Sequence, residues 1–321
     1  MPPDPFPAVQ PEAWRLAAGI AALLLGASLL GHLLKITLAR AQPHPLIDNL
    51  NSRINAWWII ALLVGLSLLA GHGAVTLLFG LASAAALREF VAGEGDAKPP
   101  RALLLGSFLL VLPLQYALVW TGSFAPYGSL LPLCLLLLLP LRVLASGGWR
   151  TFVQRTQRLQ VGLLVCVCGI SYLPALLTLP VSGRDGAQAA YLLVFLLLVV
   201  QLGDVLQYLW GKLAGRHPIA PRLSPAKTVE GTLGGLLSAC ALGAWLAPIT
   251  PFTTGEATAI SLLLALLGFL GGLAMSAAKR RRGIKDWGTL LPGHGGMLDR
   301  LDSLCFSAPA FYYLLRFGWA S

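Results

Sequence analysis

Charge is what this chain has least of. Only 11% of its 321 residues are Asp, Glu, Lys or Arg, less than half of the roughly 25% found in ordinary soluble domains. So few charges cannot cover a water-exposed surface, and a soluble globular fold is excluded. Cysteine is also sparse. Cys134, Cys166, Cys168, Cys240 and Cys305 all lie in or beside apolar segments. Cys166 and Cys168 would point about 200° apart on a helix, which does not suit a shared metal. All five read as small apolar core residues, with no disulfide and no structural zinc expected. A cleaved leader is not expected either, because Asp4 and Glu12 precede the first apolar run and Lys35 and Arg40 follow it. That run reads as a retained anchor.

Apolar sequence is abundant: 56% of residues are hydrophobic and the mean hydropathy is +0.74. A membrane-crossing helix takes about 20 such residues. Roughly ten runs qualify, at 14–34, 56–70, 73–90, 102–121, 128–145, 159–180, 188–208, 231–248, 258–277 and 303–320. The expected fold is an all-α, polytopic membrane bundle. Only Gly71, His72 and Gly73 separate the second and third runs, which makes that boundary the weakest.

The formal charge of +10 follows topology, so no nucleic-acid partner is expected. Alternate loops at 35–55, 88–101, 142–158, 209–228 and 278–302 hold every Lys and Arg except Arg15, Arg184 and Arg316. Basic residues accumulate on the cytoplasmic side of bilayers. The expectation is an inner-membrane protein with both termini outside and these loops in the cytoplasm.

The two halves differ in kind. Residues 1–158 are Leu-rich helix and short loops without a constellation of reactive side chains; Trp57, Trp58 and Trp120 fall at span ends, where indoles favour the interface. Arg88-Glu89 reads as an interfacial ion pair. Residues 159–321 carry two polar cytoplasmic loops, 209–230 and 278–302, rich in Lys, Arg, Asp, His and Gly.

In the second loop, Asp299 and Asp302 are spaced to face one way if a helix begins there. Close carboxylates repel unless a cation lies between them, and Mg²⁺ prefers a few carboxylates with phosphate oxygens and water. Gly293-His294-Gly295-Gly296 precedes that helix, where backbone N–H groups can approach a phosphate. Lys279, Arg280, Lys285 and Arg300 could neutralise a polyanion, although the run from Lys279 to Arg282 also serves as a basic flank of its span. Asp302 beside an apolar run is costly without a partner. In the first loop, Asp204 ends an apolar span, and Ser224, Lys227 and Thr228 offer donors just before a helix opening with Glu230, Gly231, Gly234 and Gly235. Those glycines are either a close-approach surface or a helix-packing face.

The run Ser276-x-x-Lys279-Arg280, then Lys285-Asp286, then His294-Gly295-Gly296-x-x-Asp299-Arg300-x-Asp302 resembles the signature of the CTP:phosphatidate cytidylyltransferases, or CDP-diacylglycerol synthases. Ser224-Pro225-x-Lys227-Thr228-x-Glu230-Gly231 is similar to that family's other cytoplasmic motif. The likeness spans about 200–305. It implies a Mg²⁺-dependent membrane enzyme, commonly dimeric, that joins CTP and phosphatidic acid into CDP-diacylglycerol and pyrophosphate. It implies metal ligation by Asp299 and Asp302, with Asp204 or Asp286 able to take up the ligand burden of an acid missing at Gly272. Catalytic work falls on Asp286, His294, Asp299 and Asp302, and substrate contacts on Ser224, Lys227, Thr228, Lys279, Arg280, Lys285 and Arg300. The family usually has an acidic pair in a Gly-Asp-Leu-x-Glu-Ser run. Here the run is Gly271-Gly272-Leu273-Ala274-Met275-Ser276, so both acids are missing. Ala226 and Ala278 replace a usual Lys and a larger apolar residue.

Two other readings remain: a weakly active homologue that serves as partner or regulator of a lipid enzyme, and a cytidylyltransferase with another lipid phosphate acceptor. A transporter is disfavoured, because the ionisable residues gather in loops and not at the bilayer midplane. A CDP-alcohol phosphotransferase is disfavoured by the lack of an Asp-Gly-x-x-Ala-Arg run.

Overall fold

The computed structural model describes residues 11–37, 45–92, 101–124, 128, 158–180, 187–288 and 295–319. The expected span at 128–145, with Cys134, lies outside the described residues, as does His294.

In hydrocarbon the backbone has no water to bond, so apolar runs close their hydrogen bonds internally as helices. Among the described residues, eight long helices form: α1 (Pro11–Thr37), α2 (Pro45–Ala70), α3 (His72–Ala92), α4 (Arg101–Trp120), α5 (Arg158–Thr178), α6 (Ala187–Ala214), α7 (Val229–Leu246) and α8 (Thr254–Arg281). All eight are long and apolar enough to cross a membrane. The chain is a polytopic α-helical membrane protein. Its outward surface fits that solvent, with Leu69, Leu109, Leu213, Leu237 and Phe317 among many large apolar side chains left uncovered.

Several boundaries differ from expectation. The helix expected from 56 starts at Pro45, a residue suited to a first helical turn. The doubtful break before α3 is real. Gly71 adopts φ +96°, which ends α2, and its carbonyl then accepts the Ala74 and Val75 N–H groups at 3.1 and 3.3 Å. The polar loop expected at 209–230 is largely ordered: α6 runs on to Ala214, and two antiparallel strands follow, β1 (Pro218–Ala220) and β2 (Ser224–Thr228). The run expected as a span at 303–320 is a short α9 (Leu298–Leu301) leading into α10 (Leu304–Gly318). At 15 residues, α10 is about 22 Å long, less than the ~30 Å of a bilayer's hydrocarbon core.

The chain forms two compact units. In the first, α1 and the N-terminal part of α2 are joined by the Trp58 indole donating to Ser28 at 3.0 Å and by Lys35 donating to Asp48 at 2.5 Å. The second runs from Ser67 through Gly288 and resumes at Gly296. Here α6 and α7 approach closely. A Cβ on Gly231 would lie 2.7 Å from Gly211 Cα, and one on Gly235 would run into the Gln207 side chain. The glycines opening α7 are therefore a packing face. Phe195 and Phe311 stack at 5.9 Å, while Phe124, Tyr172 and Tyr312 meet edge to face, fixing α5, α6 and α10 around a solid core.

Candidate functional site at the ends of α6, α8 and α10

α8 ends as its sequence directs. Gly283, at φ +69°, lets the Ile284 N–H reach back to the Lys279 carbonyl at 3.1 Å and the Gly283 N–H to Arg280 at 3.1 Å, which closes the last turn. This stop holds Lys279 and Arg280 in the final turn and turns the chain towards Lys285, Asp286 and Trp287.

Two groups of charge gather here. In the first, the Lys279 ammonium donates to Asp299 Oδ1 at 2.8 Å, with the two side chains only 13% and 5% exposed. Asp299 Oδ2 accepts the Trp287 and Gly296 N–H groups at 2.8 and 2.9 Å. Both oxygens of Asp299, expected as a metal ligand, are thus engaged in tying two loop ends to α8.

In the second group, Ser303 links Asp204 and Asp302. Its hydroxyl donates to Asp204 Oδ2 at 2.5 Å, and its N–H donates to Asp302 Oδ1 at 2.8 Å. Burial, and after it the Asp204 carboxylate, push the Asp302 carboxyl up to about 6, against the pull of the Lys279 ammonium. Lys227, brought in by β2, lies close enough to feel the charges of both carboxylates and of Lys279. Its ammonium lies 4.6 Å over the Phe269 ring and 3.4 Å from the Phe269 carbonyl. Burial pulls its pKa below the usual lysine value, although Asp204 and Asp302 favour the charged form.

The Lys227 ammonium would be only 3.0 Å from a Cβ on Gly272, with Ser303 Oγ at 3.7 Å. The position without an acid is therefore filled from β2 by a cation. Met275, at the other missing acid, is buried.

The remaining predicted residues are spread around these groups. The Thr228 hydroxyl accepts the Gly231 N–H at 3.1 Å and caps α7. Arg280 is exposed and donates to the Leu223 and Ile284 carbonyls at 3.2 and 3.3 Å, pinning the β1–β2 turn to the end of α8. Ser224 is half-buried on β2, and Lys285 and Asp286 are exposed. Arg300 is half-buried, and its carbonyl accepts from Gln201 at 2.7 Å.

Glu89 is the residue that the sequence reading misplaced. It makes no ion pair with Arg88, since neighbours on a helix point apart. Its two oxygens accept the Met297 and Leu298 N–H groups, both at 2.9 Å. Beside it, Arg282 donates to the Phe90 carbonyl at 2.7 Å and stacks on the Phe90 and Trp287 rings. One signal was available: an acid at the end of an apolar helix is costly without a partner, the argument already applied to Asp302.

Among the described residues, no three His, Cys, Asp or Glu side chains converge as a complete metal cage. Two carboxylates with added phosphate oxygens and water are nevertheless a usual environment for Mg²⁺, and Asp204 with Asp302 fits it.

The cytidylyltransferase family profile matches residues 51–318. The chain belongs to the cytidylyltransferase family. Among proteins similar to this cytidylyltransferase-family chain is the uncharacterized protein YnbB of Escherichia coli K12, 36% identical over 83% of this chain and 87% of that protein. A phosphatidate cytidylyltransferase of Staphylococcus aureus strain COL is 38% identical over 40% of this chain and 50% of its own length. One from Helicobacter pylori is 44% identical over 40% of this chain and 48% of its own length. The chain thus spans about half the length of the named enzymes it matches.

Proposed function

We propose that this chain is a Mg²⁺-dependent phosphatidate cytidylyltransferase. The observation that carries the reading is the meeting of Asp204 and Asp302 across Ser303, with Lys227 close enough to feel both charges, in a cytidylyltransferase-family chain. A phosphate oxygen of phosphatidic acid attacks the α-phosphorus of CTP, the bond to the β-phosphate breaks, and pyrophosphate leaves as CDP-diacylglycerol forms. Such a transfer depends mainly on positioning and charge neutralisation. Asp204 and Asp302 would hold Mg²⁺, which supplies neutralisation of the triphosphate when bound. Lys227, Arg280 and Lys285 hold phosphate oxygens, Lys279 and Asp299 fix the loop, and Asp286 and His294 complete the nucleotide contacts. The bias of basic residues to these loops supports a site at the cytoplasmic face of an inner membrane, within reach of both a soluble nucleotide and a lipid phosphate. The test is pyrophosphate release from CTP by the purified protein with phosphatidic acid and Mg²⁺. Release is expected only when all three are present; none under any condition would overturn the reading.

A second reading has its own support. Gly272 provides no carboxylate, and the Lys227 ammonium stands 3.0 Å from where its Cβ would be. A weakly active homologue that partners another lipid enzyme would look this way. In that case Gly272→Asp with Met275→Glu raises divalent-cation affinity while leaving lipid output unchanged. Robust turnover by the unaltered protein removes this alternative.

A further inference from the structure

The end of α3 lies almost 200 residues before the signature loop, yet it meets that loop through a carboxylate. Glu89 Oε1 accepts the Met297 N–H and Oε2 the Leu298 N–H, each at 2.9 Å. Two glycines make room for it. A Cβ on Gly288 would lie 2.7 Å from Glu89 Oε1, and one on Gly296 would overlap Oε2. Arg282 closes the side of this clasp by bonding the Phe90 carbonyl and stacking on Phe90 and Trp287. The clasped residues lead directly into Asp299 and Asp302. The Gly296 N–H in the same stretch is one of the two backbone donors to Asp299.

We infer that Glu89 is a positioning residue for the nucleotide and metal site: it fixes the 296–298 backbone, and through it the placement of Asp299 and Asp302. It touches neither substrate nor metal. The N-terminal half of the chain therefore builds part of the site and is more than a membrane anchor. A carboxylate suits this place because the N–H groups entering a helical turn lack backbone partners and carry partial positive charge. A glutamine keeps the shape but offers one acceptor oxygen in place of two and turns an N–H₂ group towards a donor.

This inference rests on the proposed cytidylyl transfer, and the experiment separates the two. Full-length wild type, Glu89→Gln and Gly288→Ala are compared in detergent micelles. Gly288→Ala leaves the carboxylate in the chain but displaces it from its seat, so it decides the matter if Glu89→Gln does not fold. Hydrogen exchange is followed across 295–303, CTP binding with Mg²⁺ is titrated, and KM and kcat are measured for both substrates. Both variants are expected to exchange faster at Met297 and Leu298. Each should also raise the Mg²⁺ and CTP concentrations required by about tenfold, the lower end for residues that orient metal ligands. KM for phosphatidic acid and the melting temperature should stay near wild type. Unchanged exchange at 297–298, or a fall in melting temperature and kcat with the CTP and Mg²⁺ requirements unaltered, overturns the positioning role. A wild type that binds CTP without turnover removes the proposed function alone; weaker CTP binding in the variants then still supports the clasp, and equal binding refutes it.

Discussion

Asp299 and Asp302 are separated by two residues and feel each other's charge, but their immediate partners differ. Around Asp299, every charge is matched: Lys279 on one oxygen and two backbone N–H groups on the other. Around Asp302, a second carboxylate crowds in, and Lys279, Ser303 and Lys227 only partly offset it. The first region is complete as it stands and braces the loop. The second is incomplete in a way that a hard cation would resolve. Helical spacing puts the two acids in one place, but it is the neighbours that divide their work.

The comparison breaks most visibly if the matched region is cut. Asp299→Ala leaves Lys279 buried without its carboxylate, a change that costs about 3–5 kcal/mol for buried pairs. Chemical or thermal unfolding should show that loss, and a variant as stable as wild type would mean that Asp299 is no brace. Asp302→Asn should behave in the opposite way. Its folded state should be as stable as wild type, because a crowded carboxylate has been relieved, while Mg²⁺-dependent pyrophosphate release falls by at least about a hundredfold. The smallest effect is one of pH. A metal enters only after the proton leaves, and the Asp302 carboxyl sits at about 6. Divalent-cation affinity should therefore be level above this value and fall as pH drops through it, by up to about tenfold per unit. Affinity that is flat down to pH 5 would show that Asp302 is not a ligand.

Much of the fold is legible in the sequence because bilayers impose a simple rule. Apolar runs must be helices, and among the described residues eight of the expected runs are helices long enough to cross a membrane. The β1–β2 hairpin was not legible, since Pro218, Pro221 and Pro225 within a short polar stretch read as loop. Part of the 276–303 pattern does converge: Lys279 pairs with Asp299, and its charge also acts on Asp302. Roles set by packing were not. Thr228 looks like a phosphate donor and caps a helix; Gly231 and Gly235 suit a ligand or a packed helix equally in sequence, and they admit α6. Glu89 reads as half of an ion pair because its actual partners, the backbone N–H groups of Met297 and Leu298, carry no signal in the sequence.

The central claim is that Asp302, and not Asp299, faces the cation. Mn²⁺ titration in the presence of CTP, followed by electron paramagnetic resonance, addresses it in Asp302→Asn and Asp299→Asn side by side. Loss of bound Mn²⁺ in Asp302→Asn, with binding kept in the folded fraction of Asp299→Asn, is the predicted result. Mn²⁺ held as tightly by Asp302→Asn as by wild type would contradict the account.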